Sequence, residues 1–156
     1  MLKKAVRRVW RSISPTSRAR LVRATQEAFT VSTAAIVTNE KDEVLLLNHV
    51  LRPYAGWGFP GGFLEKGEQA EDAVRREVRE ETGIELEQLE LYCIHTSATH
   101  IEILFSARGV GEPEVRSREI IELGWFSVDQ IPDEIPRVQK QHVREVLARR
   151  FDKQSA

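Results

Sequence analysis

The chain has 156 residues, of which 41% are apolar and 30% are charged, and its formal net charge at pH 7 is −1. This length suits a single domain with a real hydrophobic core, and a charge so close to zero gives the chain as a whole no bias toward a polyanionic partner. No apolar stretch approaches membrane-spanning length, and the start of the chain lacks the pattern of a signal peptide. We therefore expect a cytoplasmic protein.

The chain has a single cysteine, Cys93, so an intramolecular disulfide cannot form. We expect Cys93 to be a small buried residue in a strand, in a protein that works in the reducing cytosol.

Positive charge is concentrated at the start of the chain. Residues 1–25 hold eight Lys and Arg and no Asp or Glu, whereas the remainder holds 15 basic and 24 acidic residues. The first dozen residues predict a basic amphipathic helix, and residues 17–29 predict a second short helix after a break at Pro15. The apolar face of the first helix comprises Leu2, Val6, Val9, Trp10 and Ile13.

Three interpretations of this N-terminal extension, residues 1–30, stay open. It packs on the rest of the chain or on a second copy, which would make a homodimer. It faces an anionic membrane surface or a nucleic acid. It is an organelle transit peptide, because its start is amphipathic, rich in Arg and poor in acids.

Apolar, β-branched residues at 31–38 and 44–50 predict a hairpin of two strands around the turn at 39–42. After the next motif, residues 89–98 and 101–110 predict two further strands, and a strand lies within 119–126. A short turn at 128–131 and a last helix at 138–151 complete the chain. Short strands that alternate with two main helices predict a mixed sheet between helices.

The stretch from Gly61 to Ile84 predicts a turn followed by a helix. A Phe-Pro-Gly-Gly run cannot continue regular structure, Glu68 is expected at the helix start, and Gly83 is expected to end the helix. One helical face is apolar, and its members are Ala70, Ala73, Val74 and Val78.

The opposite face of this helix is acidic. Glu77, Glu80 and Glu81 are spaced i, i+3 and i+4, so three carboxylates project from one side and repel one another. One interpretation is a solvated face in which Arg75, Arg76 and Arg79 pair with the glutamates. The other is a site for a hard divalent cation with oxygen ligands.

The fixed positions of this stretch decide between the two interpretations. Its pattern resembles the Nudix box at every fixed position: Gly62, Glu68, Arg76, Glu77, Val78, Glu80, Glu81, Gly83 and Ile84. The resemblance implies an α/β/α sandwich with a mixed sheet, a Nudix hydrolase domain over residues 31–151 and an N-terminal helical extension. It also implies hydrolysis, with Mg²⁺ or Mn²⁺, of a nucleoside diphosphate linked to another moiety.

By the same resemblance, the metal ligands are Glu80 and Glu81, with Glu77 as a ligand or water activator and the carbonyl of Gly61 as a further oxygen. Glu68 is a further ligand or a partner of Arg76, and Arg76 orients the carboxylates because its donors can hold two of them at once.

A carboxylate from outside the box commonly completes such a site. We assign this role to Glu119. Glu122 is the second candidate, and a solvated side chain on a strand is an equally good interpretation of it. The four histidines lack metal-ligand spacing, and we interpret each as structural or surface: His49, His95, His100 and His142.

The loop at 51–58 precedes the box and carries candidate substrate contacts. Arg52 suits a phosphate, and Tyr54 or Trp57 suits stacking on a base or sugar. A packed loop tip is the alternative, and for Trp57 a structural anchor is the interpretation that we favour.

Subfamily markers do not narrow the substrate further. ADP-ribose, a nucleotide sugar and a nucleoside triphosphate all fit, and an RNA 5′ end is an alternative. A nucleotide-binding module without turnover is the competing class, but such modules usually lack box glutamates, and all of them are present here. An isomerase of the same fold is a third option that no residue supports.

Overall fold

A computed structural model of the chain describes residues 2–51 and 56–154, with side chains up to residue 150. The chain divides into two compact units, Met1–Thr30 and Val31–Ala156. Arg52 and Tyr54 lie outside the described residues. Across the described part of the chain, no helix combines the length and the apolar character needed to cross a membrane.

The described part of the first unit, from residue 2 onward, contains two helices, α1 at Leu2–Ser12 and α2 at Pro15–Thr25. Ser14 caps α2 by accepting a hydrogen bond from the backbone N–H of Ser17 at 3.1 Å. The prediction of a second helix over 17–29 was wrong at both ends. Pro15 begins the helix because its fixed φ and missing N–H suit a first turn, and the chain is extended from Gln26.

Among its described residues, the second unit contains seven strands in one sheet, a 3₁₀ turn at Val128–Gln130 and two helices. The strands are β1 Thr30–Thr38, β2 Val44–His49, β3 Trp57–Gly58, β4 Gly61–Phe63, β5 Glu85–Ser97, β6 His100–Val110 and β7 Ile120–Phe126, and the helices are α3 Ala70–Thr82 and α4 Arg137–Gln154. Strand β3 pairs with β2, β2 with β1, β1 with β6 and β6 with β5, while β4 also pairs with β1 and β7 with β2.

The sheet is buried on both faces, which explains the unbroken apolar runs of β1 and β2. Alternate residues enter two separate clusters. Ile36 and Leu46 pack with Val143 of α4, whereas Leu45 packs with Val78 of α3 on the other face. This confirms the predicted sheet between helices, with α3 and α4 on opposite faces.

Strand β5 differs from its prediction. It begins at Glu85 instead of residue 89, and its first residues pair with the end of β6, Glu85 with Val110 and Leu86 with Gly109. Its polar sequence hid this start, because alternate residues face solvent while Leu86 is buried. Cys93 lies in β5 as expected, but it is half-buried, not buried.

Candidate active site

Two glycines shape helix α3 at the box, because Gly62 lets the helix approach β4 and Gly83 ends the helix. A Cβ on Gly62 would lie 2.4 Å from the carboxyl carbon of Glu77, so only a glycine lets that carboxylate pack against β4. Gly83 ends α3 with φ of 74°, and its N–H donates to the carbonyl of Arg79 at 2.9 Å. The predicted helix stop is confirmed.

Glu81 joins α3 to the start of β4. The residue is 6% exposed, and its carboxylate accepts the backbone N–H of Gly61 at 2.9 Å. The other carboxylate oxygen lies 3.9 Å from Nδ1 of His49, at the end of β2. A buried carboxylate is stable only with such partners or a cation beside it. These contacts hold the Glu81 carboxylate in place between the start of β4 and the end of β2.

Arg76 holds the other box carboxylates. Its guanidinium donates to both oxygens of Glu68, at 2.9 and 3.0 Å. It also donates to Glu77 at 2.8 Å and to Glu80 at 3.4 Å, and one further N–H reaches the carbonyl of Phe63 at 3.2 Å. The rigid fork of a guanidinium suits this task, because its five donors point in fixed directions within one plane.

Glu68 lies before α3, not at its start. The helix begins at Ala70 after the N-cap residue Gln69, so the expectation that Glu68 opens the helix was wrong. Its carboxylate instead accepts the N–H of Glu65 at 3.0 Å and the fork of Arg76. These hydrogen bonds, with that from Arg76 foremost, lower the pKa of Glu68 to about 2, and the same pairing raises the pKa of Arg76.

The other two arginines of α3 have their main partners outside the box. Arg75 donates to the backbone carbonyl of Leu86, and Arg79 pairs with Glu85. Among the described residues, Glu68, Glu77 and Glu80 therefore share the hydrogen bonds of one arginine, Arg76, while Glu81 accepts the N–H of Gly61. An oxygen-only donor set with surplus negative charge fits Mg²⁺ or Mn²⁺, which prefer carboxylate and carbonyl ligands.

Strand β7 and the residue before it bring two further glutamates to the end of β2. The carbonyl of Glu119 accepts the N–H of Val50 at 2.9 Å, one residue after His49, and its side chain is exposed. Glu122 faces Asn48 across the two strands and accepts its side-chain amide at 3.0 Å. The backbone of Glu119 thus lies near the Glu81 end of the box, whereas Glu122 takes part in a cross-strand pair.

Trp57 lies on the α4 face of the sheet. Its ring meets that of Phe126 edge to face, with centroids 5.1 Å apart, and packs against the apolar cluster beneath α4. A cavity of about 610 Å³ lies on the same face, and Tyr92, Arg149 and Arg150 are among the residues that line it.

The histidines divide into separate environments. His100 contacts Ser32 at 3.0 Å and the ring of Phe63, which places it in the packing of the sheet. His95 and His142 instead meet each other and Cys93, although 47 residues separate the two histidines. Spacing along the chain does not indicate this grouping, because only Cys93 and His95 are neighbours in sequence.

The sheet between two helices, with an arginine-organised carboxylate cluster at one edge, defines a hydrolase of the Nudix class. The NUDIX domain family matches residues 28–148, and the chain belongs to that family. This match confirms the family that the 61–84 stretch indicated, and it extends over most of the chain.

Known proteins similar to this chain include a MutT-like protein of Streptomyces ambofaciens, 32% identical over 69% of this chain and 70% of its own length. Another is the 8-oxo-dGDP phosphatase NUDT18 of Mus musculus, 34% identical over 63% of this chain and 32% of its own length. The chain thus spans about a third of NUDT18. A MutT NUDIX hydrolase from Burkholderia pseudomallei superposes with a TM-score of 0.67 at 32% identity, over 77% of this chain and 99% of its own.

Proposed function

We propose that this chain is a divalent-cation-dependent pyrophosphohydrolase that cleaves a nucleoside diphosphate linked to another moiety. The observation that carries the proposal is the unbalanced charge of the box. Three glutamates, Glu68, Glu77 and Glu80, share one arginine, and a fourth carboxylate, Glu81, lies beside them at the N–H of Gly61. The two neighbouring arginines of α3 have their main partners outside the box. Such a cluster is stable with a cation, and a pyrophosphate substrate needs one.

Glu77, Glu80 and Glu81 would hold Mg²⁺ or Mn²⁺, with the carbonyl of Gly61 as a further oxygen. When bound, the cation supplies charge neutralisation of the pyrophosphate and a more acidic water. The N–H of Gly61 keeps the Glu81 carboxylate against β4. Arg76 then sets the directions of the Glu77 and Glu80 carboxylates.

Three further assignments complete the proposed site. Glu68 holds Arg76 in position and so orients the metal-ligating carboxylates indirectly. Direct ligation of the cation by Glu68 is the alternative that the resemblance leaves open. Glu119 supplies the carboxylate from outside the box, since its backbone lies at the end of β2 near Glu81. Arg52 and Tyr54 would contact phosphate and base, whereas Trp57, which packs against Phe126 and the apolar cluster beneath α4, would be the structural anchor of this loop.

The substrate class is a nucleotide with a pyrophosphate bond. The similar proteins include an 8-oxo-dGDP phosphatase and, at 31% identity over 62% of this chain, the NAD-capped RNA hydrolase NudC of Salmonella paratyphi C. ADP-ribose, nucleotide sugars and oxidised guanine nucleotides are therefore the small molecules to test. We place the enzyme in the cytoplasm, and a homodimer through residues 1–30 is part of the same proposal.

The test is product analysis with Mg²⁺ or Mn²⁺ on a panel of 8-oxo-dGDP, 8-oxo-dGTP, ADP-ribose, a nucleotide sugar and NAD-capped RNA. One class is expected to be cleaved much faster than the rest. Glu81→Gln is expected to lower kcat/KM by more than about 100-fold, because even outer partners of metal ligands are worth 10–100-fold. Glu71→Gln is the matched control, since Glu71 is an exposed glutamate in the first turn of α3.

Folded protein that cleaves nothing on the panel with either cation, or a Glu81→Gln variant as active as Glu71→Gln, would contradict the proposal. The first result would support a nucleotide-binding module instead.

An RNA 5′ end is a second candidate, and the exposed basic face of α1 is the observation that favours it. Every described residue of α1 is exposed, and the helix carries Lys3, Lys4, Arg7, Arg8 and Arg11. Arg7→Glu with Arg8→Glu should then weaken cleavage of capped RNA and leave ADP-ribose cleavage unchanged. Equal effects on both substrates would remove this candidate.

A further inference from the structure

A second group of metal-binding side chains lies between β5 and α4. Sγ of Cys93 is 3.3 Å from Nε2 of His95, and the same nitrogen is 3.2 Å from Nε2 of His142. All three atoms lie within 4.8 Å of one another. Cys93 packs against the apolar cluster under α4, on the face opposite to that covered by α3 and the box.

A β-bulge brings these residues together. Leu91 pairs with Phe105 and Cys93 with Leu104, so Tyr92 is an extra residue in β5. Strand alternation would place Tyr92 and Cys93 on opposite faces, but with the bulge both pack against the cluster under α4. His95 follows Cys93 by two residues and so shares its face.

Hydrogen bonds fix the tautomer of His142. Tyr92 has one hydroxyl proton, which it donates to a carboxylate oxygen of Glu145. Nδ1 of His142 lies 3.1 Å from the same hydroxyl oxygen, so Nδ1 must be the donor in that contact. Nε2 of the neutral ring is then an unprotonated acceptor that points at His95 and Cys93. Metal-bound histidines are oriented by such a partner on the other ring nitrogen.

Ordinary hydrogen bonds do not account well for both contacts of Nε2 of His95. Its Nε2 carries either one proton or one lone pair, yet it faces both the sulfur of Cys93 and the Nε2 lone pair of His142. A cation at the centre would accept a lone pair from all three atoms. Around Zn²⁺, with Zn–N of about 2.0–2.1 Å and Zn–S of about 2.3 Å, tetrahedral ligand atoms lie about 3.3–3.6 Å apart. The distances from Nε2 of His95 to the other two ligand atoms, 3.3 and 3.2 Å, are close to this, and the third distance is within 4.8 Å.

We propose that Cys93, His95 and His142 form a second cation site that binds Zn²⁺ or a chemically similar divalent metal. The sulfur and imidazole ligands favour such a metal over Mg²⁺. Three protein ligands leave the fourth position to water or an exchangeable ligand, on the side where His95 is exposed. Glu102, which pairs with His95 across the strands, and Glu145 add negative charge nearby, against one arginine, Arg149.

Because Cys93 is the only cysteine in the chain, its alkylation reports on this site alone. The experiment measures the rate of iodoacetamide modification by intact mass spectrometry on the full chain, in excess Mg²⁺, with and without Zn²⁺. At Zn²⁺ of about ten times Kd the rate is expected to fall about tenfold, since only the metal-free fraction reacts. With Co²⁺ in place of Zn²⁺, tetrahedral cobalt bands and a thiolate-to-cobalt charge-transfer band are expected.

Four variants make the result specific. His142→Ala should abolish the protection of Cys93, and Cys93→Ser should remove the charge-transfer band. His100→Gln, a histidine of the same sheet outside the group, should keep both signals. Glu81→Gln should keep them as well, so loss of the hydrolase activity and loss of this site are separable.

Alkylation of Cys93 at the same rate with and without Zn²⁺, in protein shown to be folded by circular dichroism, would overturn the proposal. Protection that persists in His142→Ala would also overturn it. In case His142→Ala unfolds through its lost contact with Tyr92, the Cys93→Ser cobalt spectrum supplies an independent test.

Discussion

Replacing Arg76 by Lys tests whether a guanidinium organises the box. The change keeps the positive charge but replaces a planar fork with a single ammonium group. Arg76 makes hydrogen bonds to three glutamates and to the carbonyl of Phe63. A lysine has three donors on one nitrogen and cannot span Glu68 and Glu77 in the same arrangement. We expect the carboxylates to lose their fixed directions while the charge balance is unchanged.

The expected size of the effect is that of losing an outer partner of metal ligands, about 10–100-fold in metal affinity or activity. The assay is the initial rate of cleavage as a function of Mg²⁺ concentration, and the curve for Arg76→Lys should shift to higher Mg²⁺ by about that factor. Arg79→Lys is the control, because Arg79 lies on the same helix but pairs with Glu85. If both variants keep the wild-type Mg²⁺ curve, Arg76 contributes charge only, and the reasoning from its geometry fails.

Three further predictions concern the fold and the extension. Glu68 has its pKa lowered to about 2, so its stabilising effect is complete above pH 4.5 and is lost as pH falls toward 2. Urea unfolding at several pH values should show the stability difference between wild type and Glu68→Gln shrinking over that range, and a constant difference would refute the assignment. Ala98 has φ of 48°, so Ala98→Gly should stabilise the β5–β6 hairpin by about 0.5–1 kcal/mol, seen as a higher Tm, and a lower Tm would contradict it. Deleting residues 1–25 should change the elution volume on a sizing column more than kcat, whereas the reverse would place the extension in the active site.

The features that local spacing controls were predictable from the sequence. Helix α3 and its Gly83 stop follow from the period of Val74 and Val78 and from one glycine, so no distant contact was needed to find them. The buried strands β1 and β2 were visible for a similar reason, since a strand covered on both faces is apolar throughout.

Features set by pairing between distant segments were not predictable. The start of β5 depends on β6, and the position of Tyr92 and Cys93 on one face depends on a bulge between Leu91 and Cys93. His142 reaches that group from α4, so no spacing along the chain could reveal it. The partners of Arg75 and Arg79 were missed for a different reason, because they lie a few residues after the helix, at Leu86 and Glu85, in a strand start that was itself not predicted.

The two donor sets differ in chemistry as well as in position. The box offers carboxylate oxygens beside α3, which suit a hard cation, and the group beneath α4 offers sulfur and imidazole nitrogen, which suit a softer one. Zn²⁺ can nevertheless occupy carboxylates, so a change of activity on adding Zn²⁺ could come from either set. The alkylation rate of Cys93 avoids this ambiguity, because it changes only when the group beneath α4 is filled. If Zn²⁺ alters cleavage in Cys93→Ser as much as in wild type, that effect belongs to the box.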